Sequence, residues 1–187
     1  VIHFDGHGGT TQAAANSGFE FGGQEGHLLF EGEGGDSNPV SASKLANLLA
    51  EYRIPIMVLN ACKSAHFPED ASDPFASVAA ALTKAGIRSV VAMSYSLYVS
   101  GAKQFIPQFY KRLFESGDVS ESIRVGRKAM LSNDLRVCAR GLHPLEDWVV
   151  PVVYQQDAIS IDVDELAGRT RSEFIVPAEV ESISEYG

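Results

Sequence analysis

The sequence has few cysteines, no long apolar run and no excess of positive charge, and each shortage argues against a class of protein. Cys62 and Cys138 are the only cysteines among 187 residues, too few for a disulfide framework, which fits a reducing cytoplasm. No apolar run approaches the roughly 20 residues of a membrane span, and no signal peptide is visible. The net charge of −9 argues against nucleic acid or an anionic membrane as a direct partner. We therefore expect a cytoplasmic protein that binds neither.

The length and residue pattern predict one α/β domain. A chain of 187 residues with 45% apolar and 21% charged residues can bury a full core. Strand and helix signals alternate along it, as in a mainly parallel sheet with helices on both faces. From Gln155 onward the sequence becomes acidic and mixed. We expect the domain to cover residues 1–156 and residues 157–187 to be a linker or the start of a following segment.

Local signals place the individual elements. Apolar and β-branched runs predict strands at 1–4, 54–59, 88–93 and 148–154. Ser41 or Ser43 predicts the N-cap of a helix to about residue 52, Asp73-Pro74 predicts a cap and first turn of a helix through 82, and Asp118 or Ser120 predicts the start of a helix through 131. Apolar residues predict a further helix from about 100 to 115. The glycine-rich stretch 8–35 predicts a loop, in which 19–21 and 28–30 form a hairpin or line a cleft. Pro107 predicts a late start or a kink in its helix. Pro151 predicts an edge position or a bulge for the last strand.

Two apolar runs end on reactive side chains. Val1-Ile2-His3-Phe4-Asp5-Gly6-His7-Gly8 ends in His-Gly, and Ile56-Met57-Val58-Leu59-Asn60-Ala61-Cys62 ends in Ala-Cys. A thiol needs a base to become a good nucleophile, and imidazole suits that role at neutral pH. If the two strands are parallel neighbours, both groups emerge at the carboxyl edge of the sheet, where open α/β sheets bind ligands. The pattern predicts a cysteine hydrolase with Cys62 as nucleophile and His7 as base.

These stretches resemble the CHAT domains, caspase-like (clan CD) cysteine peptidase modules. The similar segments follow one another in order from 1 to about 156 and are 3–8, 58–65, 85–92, 109–113 and 147–154. The resemblance implies a caspase-like three-layer sandwich. It also implies that further strands and a helix precede the histidine strand in the family fold, so that this chain lacks the N-terminal part of that fold.

The resemblance assigns further roles at the site. The main-chain N–H groups of Gly8 and Cys62 would hold the oxyanion, and Ser94 and Tyr95 would pair main chain with an extended peptide. Asp5 could orient the imidazole, shape the substrate pocket or only solvate the strand end. Related enzymes commonly carry Asp two residues before the cysteine as part of a basic-residue pocket. Asn60 stands there in this sequence, which weakens the case for Lys or Arg at the cleavage site.

The same stretch of sequence offers a second histidine and a spacing that resembles a metal site. His3 shares the strand with His7 but lacks a following glycine, so it is expected to be a core or sheet-face histidine. The spacing of His3, Asp5 and His7 has a superficial likeness to a metal site, but no further zinc ligands are evident. We expect no metal and no cofactor.

The expected activity is a cysteine endopeptidase that cleaves a protein or peptide substrate. The resemblance implies a regulated switch, controlled by a repeat or sensor domain in the same chain or complex, with some relatives acting in bacterial antiviral defence. The alternative is a non-catalytic caspase-like interaction or scaffold module. A weaker third reading is a small-molecule hydrolase or transferase on the same dyad.

Overall fold

The computed structural model describes residues 1–12, 24–32, 34–62 and 74–162, which form a six-stranded sheet with helices on both faces. In spatial order the strands are β3 (Ser37–Ser41), β2 (Gln24–Glu31), β1 (Ile2–Gln12), β4 (Ile56–Cys62), β5 (Ser89–Met93) and β8 (Pro151–Gln155). The three central strands β1, β4 and β5 are parallel, and each outer strand is antiparallel to its neighbour. This confirms the expected α/β class and is compatible with a caspase-like fold. The expected missing N-terminal part stays a prediction.

Four helices and a small hairpin complete the described structure. The helices are α1 (Ala42–Glu51), α2 (Pro74–Lys84), α3 (Val99–Ser116) and α4 (Val119–Ser132). The hairpin pairs β6 (Leu135–Cys138) with β7 (Gly141–Pro144), and a short 3-10 helix, Asp147–Val149, leads into β8. None of the helices in the described ranges is long and apolar enough to cross a membrane.

Alternation along β4 divides the core into two layers. Met57 and Leu59 pack in one buried cluster with residues of α1 and α2. Ile56 and Val58 pack in the other, with residues of α3 and α4. Successive strand residues point to opposite faces, so a strand covered on both sides must be apolar at every position. That accounts for the unbroken apolar run at this point of the sequence.

Helix starts agree closely with the capping signals. The Ser41 hydroxyl accepts a hydrogen bond from the Lys44 amide at the start of α1. The Asp118 carboxylate accepts one from the Glu121 amide at the start of α4. Each satisfies an N–H group that has no partner inside its helix. The expected cap at Asp73 lies outside the described residues, although α2 begins at Pro74 as predicted.

Several boundaries differ from expectation. β1 continues to Gln12 because its second half, from His7, pairs with β2, so the start of the glycine-rich stretch is strand and not loop. Residues 28–30 belong to β2, whereas 19–21 lie outside the described residues. α3 begins at Val99 and runs through Pro107, whose ring is on the exposed side of the helix.

The last strand is shorter than predicted. Trp148 lies in the 3-10 helix, and β8 begins at Pro151. The edge position that Pro151 indicated is confirmed, because β8 ends the sheet and a residue without an N–H group is tolerated there.

Candidate active site

The parallel register of β1 and β4 places the two reactive residues side by side. His7 is the Cα partner of Cys62, and Asp5 is the partner of Asn60. Neighbouring strands lie about 4.8 Å apart, and partners in register share the same phase of the pleat. A separation of 55 residues in sequence thereby becomes adjacency in space.

A cleft of about 440 Å³ opens beside these strand positions. Asp5, His7 and Asn60 line it from the sheet, on the face that α3 covers. The other wall comes from α3 and the residues before it, mainly with apolar side chains: Leu97, Val99, Ala102, Ile106 and Pro107, with Lys103 as the charged member. Cys62 follows Asn60 by two residues on β4.

Gly8 follows His7 and is buried in β1. It is the register partner of Leu28 on β2, so its backbone is fixed by the sheet. A side chain at this position would restrict the approach of a substrate carbonyl to the main chain. The oxyanion role expected for the N–H groups of Gly8 and Cys62 stays a prediction.

Ser94 and Tyr95 follow β5 and differ in what they offer a peptide. The amide and the hydroxyl of Ser94 both donate to the Val150 carbonyl, at 2.9 and 3.0 Å. The Ser94 N–H group is thus engaged inside the protein. Tyr95 is 67% exposed, so it is the more accessible of the two.

His3 contacts a tyrosine of α3. The Tyr110 hydroxyl lies 2.9 Å from His3 Nδ1, and the two rings stack with centroids 5.7 Å apart. Burial lowers the pKa of His3 below its ordinary value, although the nearby Asp5 carboxylate acts in the opposite direction. Burial also raises the pKa of Tyr110 to about 12. A neutral His3 stacked on a tyrosine agrees with the expected sheet-face role.

No metal-binding cluster occurs in the described ranges, where no three His, Cys, Asp or Glu side chains group closely enough to hold an ion. His3, Asp5 and His7 fall within these ranges.

A larger cavity, of about 680 Å³, lies away from the dyad positions. It runs between α1 and the β1–β3 side of the sheet, and apolar side chains such as Phe4, Phe30 and Leu48 line most of it. Among its lining residues His3 has a titratable ring, and that ring is already paired with Tyr110. The smaller cleft is the better candidate for chemistry.

Sequence reasoning missed two contributions to the site. The α3 wall was not foreseen, because the apolar residues of a helix do not reveal which of them face a cleft and which the core. The β6–β7 hairpin was also missed. It contacts the start of α3, where the Val137 amide donates to Ser100 Oγ at 3.1 Å. Its strands are short and largely exposed, so they carry little hydrophobic pattern.

The described fold is that of an α/β protein with a mainly parallel central sheet, which is compatible with a caspase-like fold. The family model of the CHAT domain matches residues 1–159 of the 187-residue chain. The chain therefore belongs to the CHAT domain family, which is related to the caspase-like cysteine peptidases. A search of curated proteins found no match to it.

Proposed function

We propose that this protein is a cysteine endopeptidase in which Cys62 attacks a peptide carbonyl and His7 moves the proton. The observation that carries the proposal is the register of β1 and β4, with His7 opposite Cys62. Membership of the CHAT domain family supports the same chemistry. The cleft lined by His7 offers room for a substrate side chain next to the reacting atoms.

The reaction would proceed in two stages. His7 takes the thiol proton, and the Cys62 sulfur adds to the carbonyl carbon of the scissile bond. The oxyanion that forms is stabilised by the N–H groups of Gly8 and Cys62, each such donor typically contributing about 3 kcal/mol to lowering the barrier. As the C–N bond breaks, His7 returns the proton to the leaving amine. Water, deprotonated by His7, then hydrolyses the thioester and regenerates the thiol.

An extended substrate would lie along the carboxyl edge of the sheet. Because the Ser94 amide already donates to Val150, we assign the main-chain pairing with the peptide chiefly to Tyr95. Strand-like pairing supplies affinity through backbone bonds, and pockets alongside read the side chains.

The biological setting forms part of the proposal. A thiol must stay reduced to act, so the enzyme would work in a reducing cytoplasm. Control would come from a repeat or sensor domain in the same chain or complex, and the substrate would be a protein, in a bacterial defence response. These points rest on the family relation.

A specific observation also favours the alternative, a non-catalytic interaction module. Several large apolar side chains stand exposed at the β6–β7 hairpin and at the start of α3, among them Val99, Val137 and Leu142. Exposed apolar surface of this kind often marks a binding face.

Labelling with a peptide-based, cysteine-reactive probe separates the two functions. The probe is applied to the full-length protein, with and without its partners, and mass spectrometry locates the adduct. The expected result is modification at Cys62 that is lost in His7→Ala. Cys138 is an internal control, since it is a free cysteine that is partly buried. Labelling only with a partner present would indicate a switched zymogen, and no selective labelling under any condition would favour the interaction module.

A further inference from the structure

The cleft beside His7 joins an acidic floor to apolar walls. Asp5 and Asn60, register partners on β1 and β4, supply a carboxylate and an amide from the sheet. Leu97, Val99 and Ile106 supply apolar surface from the opposite side. A ligand that fits both must carry an apolar stem and a group that donates hydrogen bonds.

Lysine and arginine side chains have this chemistry. Their methylene stems pack against apolar surface while the cationic head reaches a polar partner. A carboxylate only accepts hydrogen bonds, and a bond from a cation to a carboxylate is about twice as strong as one between neutral groups. Asn60 is neutral and would not by itself select a charged side chain. A preference for a cationic side chain would therefore come from Asp5.

The Asp5 carboxylate is exposed and lines the cleft. In the part of the chain that the structure describes, the ion pairs involve Glu115, Glu121 and Asp147, and none involves Asp5. The Asp5 carboxylate acts to raise the pKa of His3, but burial lowers it by more, so the pKa of His3 lies below its ordinary value. Lys103 stands on the opposite wall and is exposed, so its ammonium group can remain in water.

The position of Asp5 relative to the dyad identifies which substrate side chain Asp5 would contact. Asp5 and Asn60 each lie two residues before a dyad member on the same strand. Two residues of strand span about 6.6 Å, which is comparable to the extended stem of a lysine. A side chain beside the scissile carbonyl can thus place its head at Asp5.

We propose that this cleft is a specificity pocket for a lysine or arginine immediately before the scissile bond, with Asp5 as the determinant. Two experiments test this inference. The cleavage experiment (the catalytic arm) rests on the proposed function, whereas the binding experiment (the binding arm) does not, because selective binding of a cation needs no reaction.

The binding arm uses the full-length Cys62→Ala chain, which keeps the cleft without the thiol. Two pools of randomised peptides, one with lysine and one with norleucine at a fixed position, are passed over the immobilised protein and quantified by mass spectrometry. Norleucine retains the stem and lacks the ammonium group. We expect the lysine pool to be retained about 10-fold more or better, as for a lost charged hydrogen bond. Equal retention of the two pools would overturn the inference.

Second-site variants test the assigned residue. Asp5→Asn in the same background should abolish the preference, and Asp5→Lys should favour a glutamate pool. Asp157→Asn is the matched control, because Asp157 follows β8 at the opposite edge of the sheet and is exposed. Thermal unfolding of each variant confirms that it is folded. A lysine preference that persists in folded Asp5→Asn would exclude Asp5 as the determinant.

The catalytic arm uses the wild-type protein and the same kind of pools. Cleavage after lysine or arginine is expected. Cleavage after other residues would overturn the pocket assignment and leave the peptidase standing. Lysine-selective binding without cleavage under any condition would overturn the peptidase and leave the pocket assignment standing. The two failures are therefore distinguishable.

Discussion

Arg136 and Asp147 form a two-point ion pair, with Nε to Oδ2 and Nη2 to Oδ1 both at 2.7 Å, although Arg136 is fully buried. The guanidinium also donates to the main-chain carbonyls of Asn133, Leu135 and Met130. One side chain thereby joins the end of α4, the start of β6 and the 3-10 helix before β8. The pair fixes the hairpin that lies against the start of α3.

Removing one member of this pair should strongly destabilise the fold. Asp147→Ala leaves a buried guanidinium without its counter-ion, for which the expected loss in unfolding free energy is about 3–5 kcal/mol. Urea denaturation of the purified protein measures it. Arg124→Ala is the control, because Arg124 is 67% exposed in its pair with Glu121, and the expected loss is below about 1 kcal/mol. Equal losses in the two variants would contradict the assignment.

Gly117 should tolerate no side chain. It ends α3 with φ of +69°, and an added Cβ would lie 2.1 Å from the Ile161 carbonyl oxygen. Gly117→Ala must therefore displace backbone as well as adopt an unfavourable conformation, and we expect a loss of about 2–5 kcal/mol. Gly86→Ala is the matched variant, since Gly86 has φ of +99° and open space around it. Its cost, from conformation alone, should be about 1–2 kcal/mol. A milder effect at Gly117 than at Gly86 would refute the steric argument.

Stability should fall on acidification in part through His3. Burial holds the pKa of His3 below the ordinary value of 6.5, so the unfolded chain takes up a proton at a higher pH than the folded one. The unfolding free energy therefore decreases as pH falls below about 6.5 and does not change through this group above it. His3→Gln should reduce the difference between denaturation at pH 7.5 and at pH 5. If the difference in stability between the two pH values is unchanged in His3→Gln, groups other than His3 dominate the loss of stability at acid pH.

The dyad assignment predicts a ranking of three variants in a cleavage assay. Cys62→Ala should abolish cleavage with the fold nearly intact, and a variant that still cleaves would remove Cys62 as nucleophile. His7→Ala should lower the rate by several orders of magnitude, as loss of the base in a coupled dyad does. His3→Ala should remain active. If His3→Ala is instead the silent variant, His3 is the base.

Elements with local signals were predictable from sequence, and long-range pairings were not. Ser41 and Asp118 could be predicted as N-caps because a capping side chain bonds to an amide within three residues of it. The antiparallel addition of β2 and β3 to β1 has no such signal, since glycine-rich segments carry no alternation. The burial of Arg136 could not be predicted either. A charged residue is expected at the surface, and the burial of this one depends on Asp147, eleven positions away.

The candidate site could be predicted in part because its residues end apolar runs of the sequence. His7 and Cys62 were identified together by this rule, and the structure makes them register partners. The cleft's other wall could not be predicted in this way, because Lys103 and Ile106 belong to a helix whose position depends on packing. The engaged Ser94 amide likewise required knowledge of where Val150 lies.

The parallel pairing of β1 with β4 has a consequence for when the protein can act. Parallel neighbours cannot be joined by a tight turn, and here the connection carries β2, β3 and α1. Loop closure over that distance must precede the contact. In a chain that has not completed this closure, Cys62 and His7 would not be held side by side. Any chemistry that needs the two together, including the cleavage proposed for them, would therefore be confined to molecules that have finished folding.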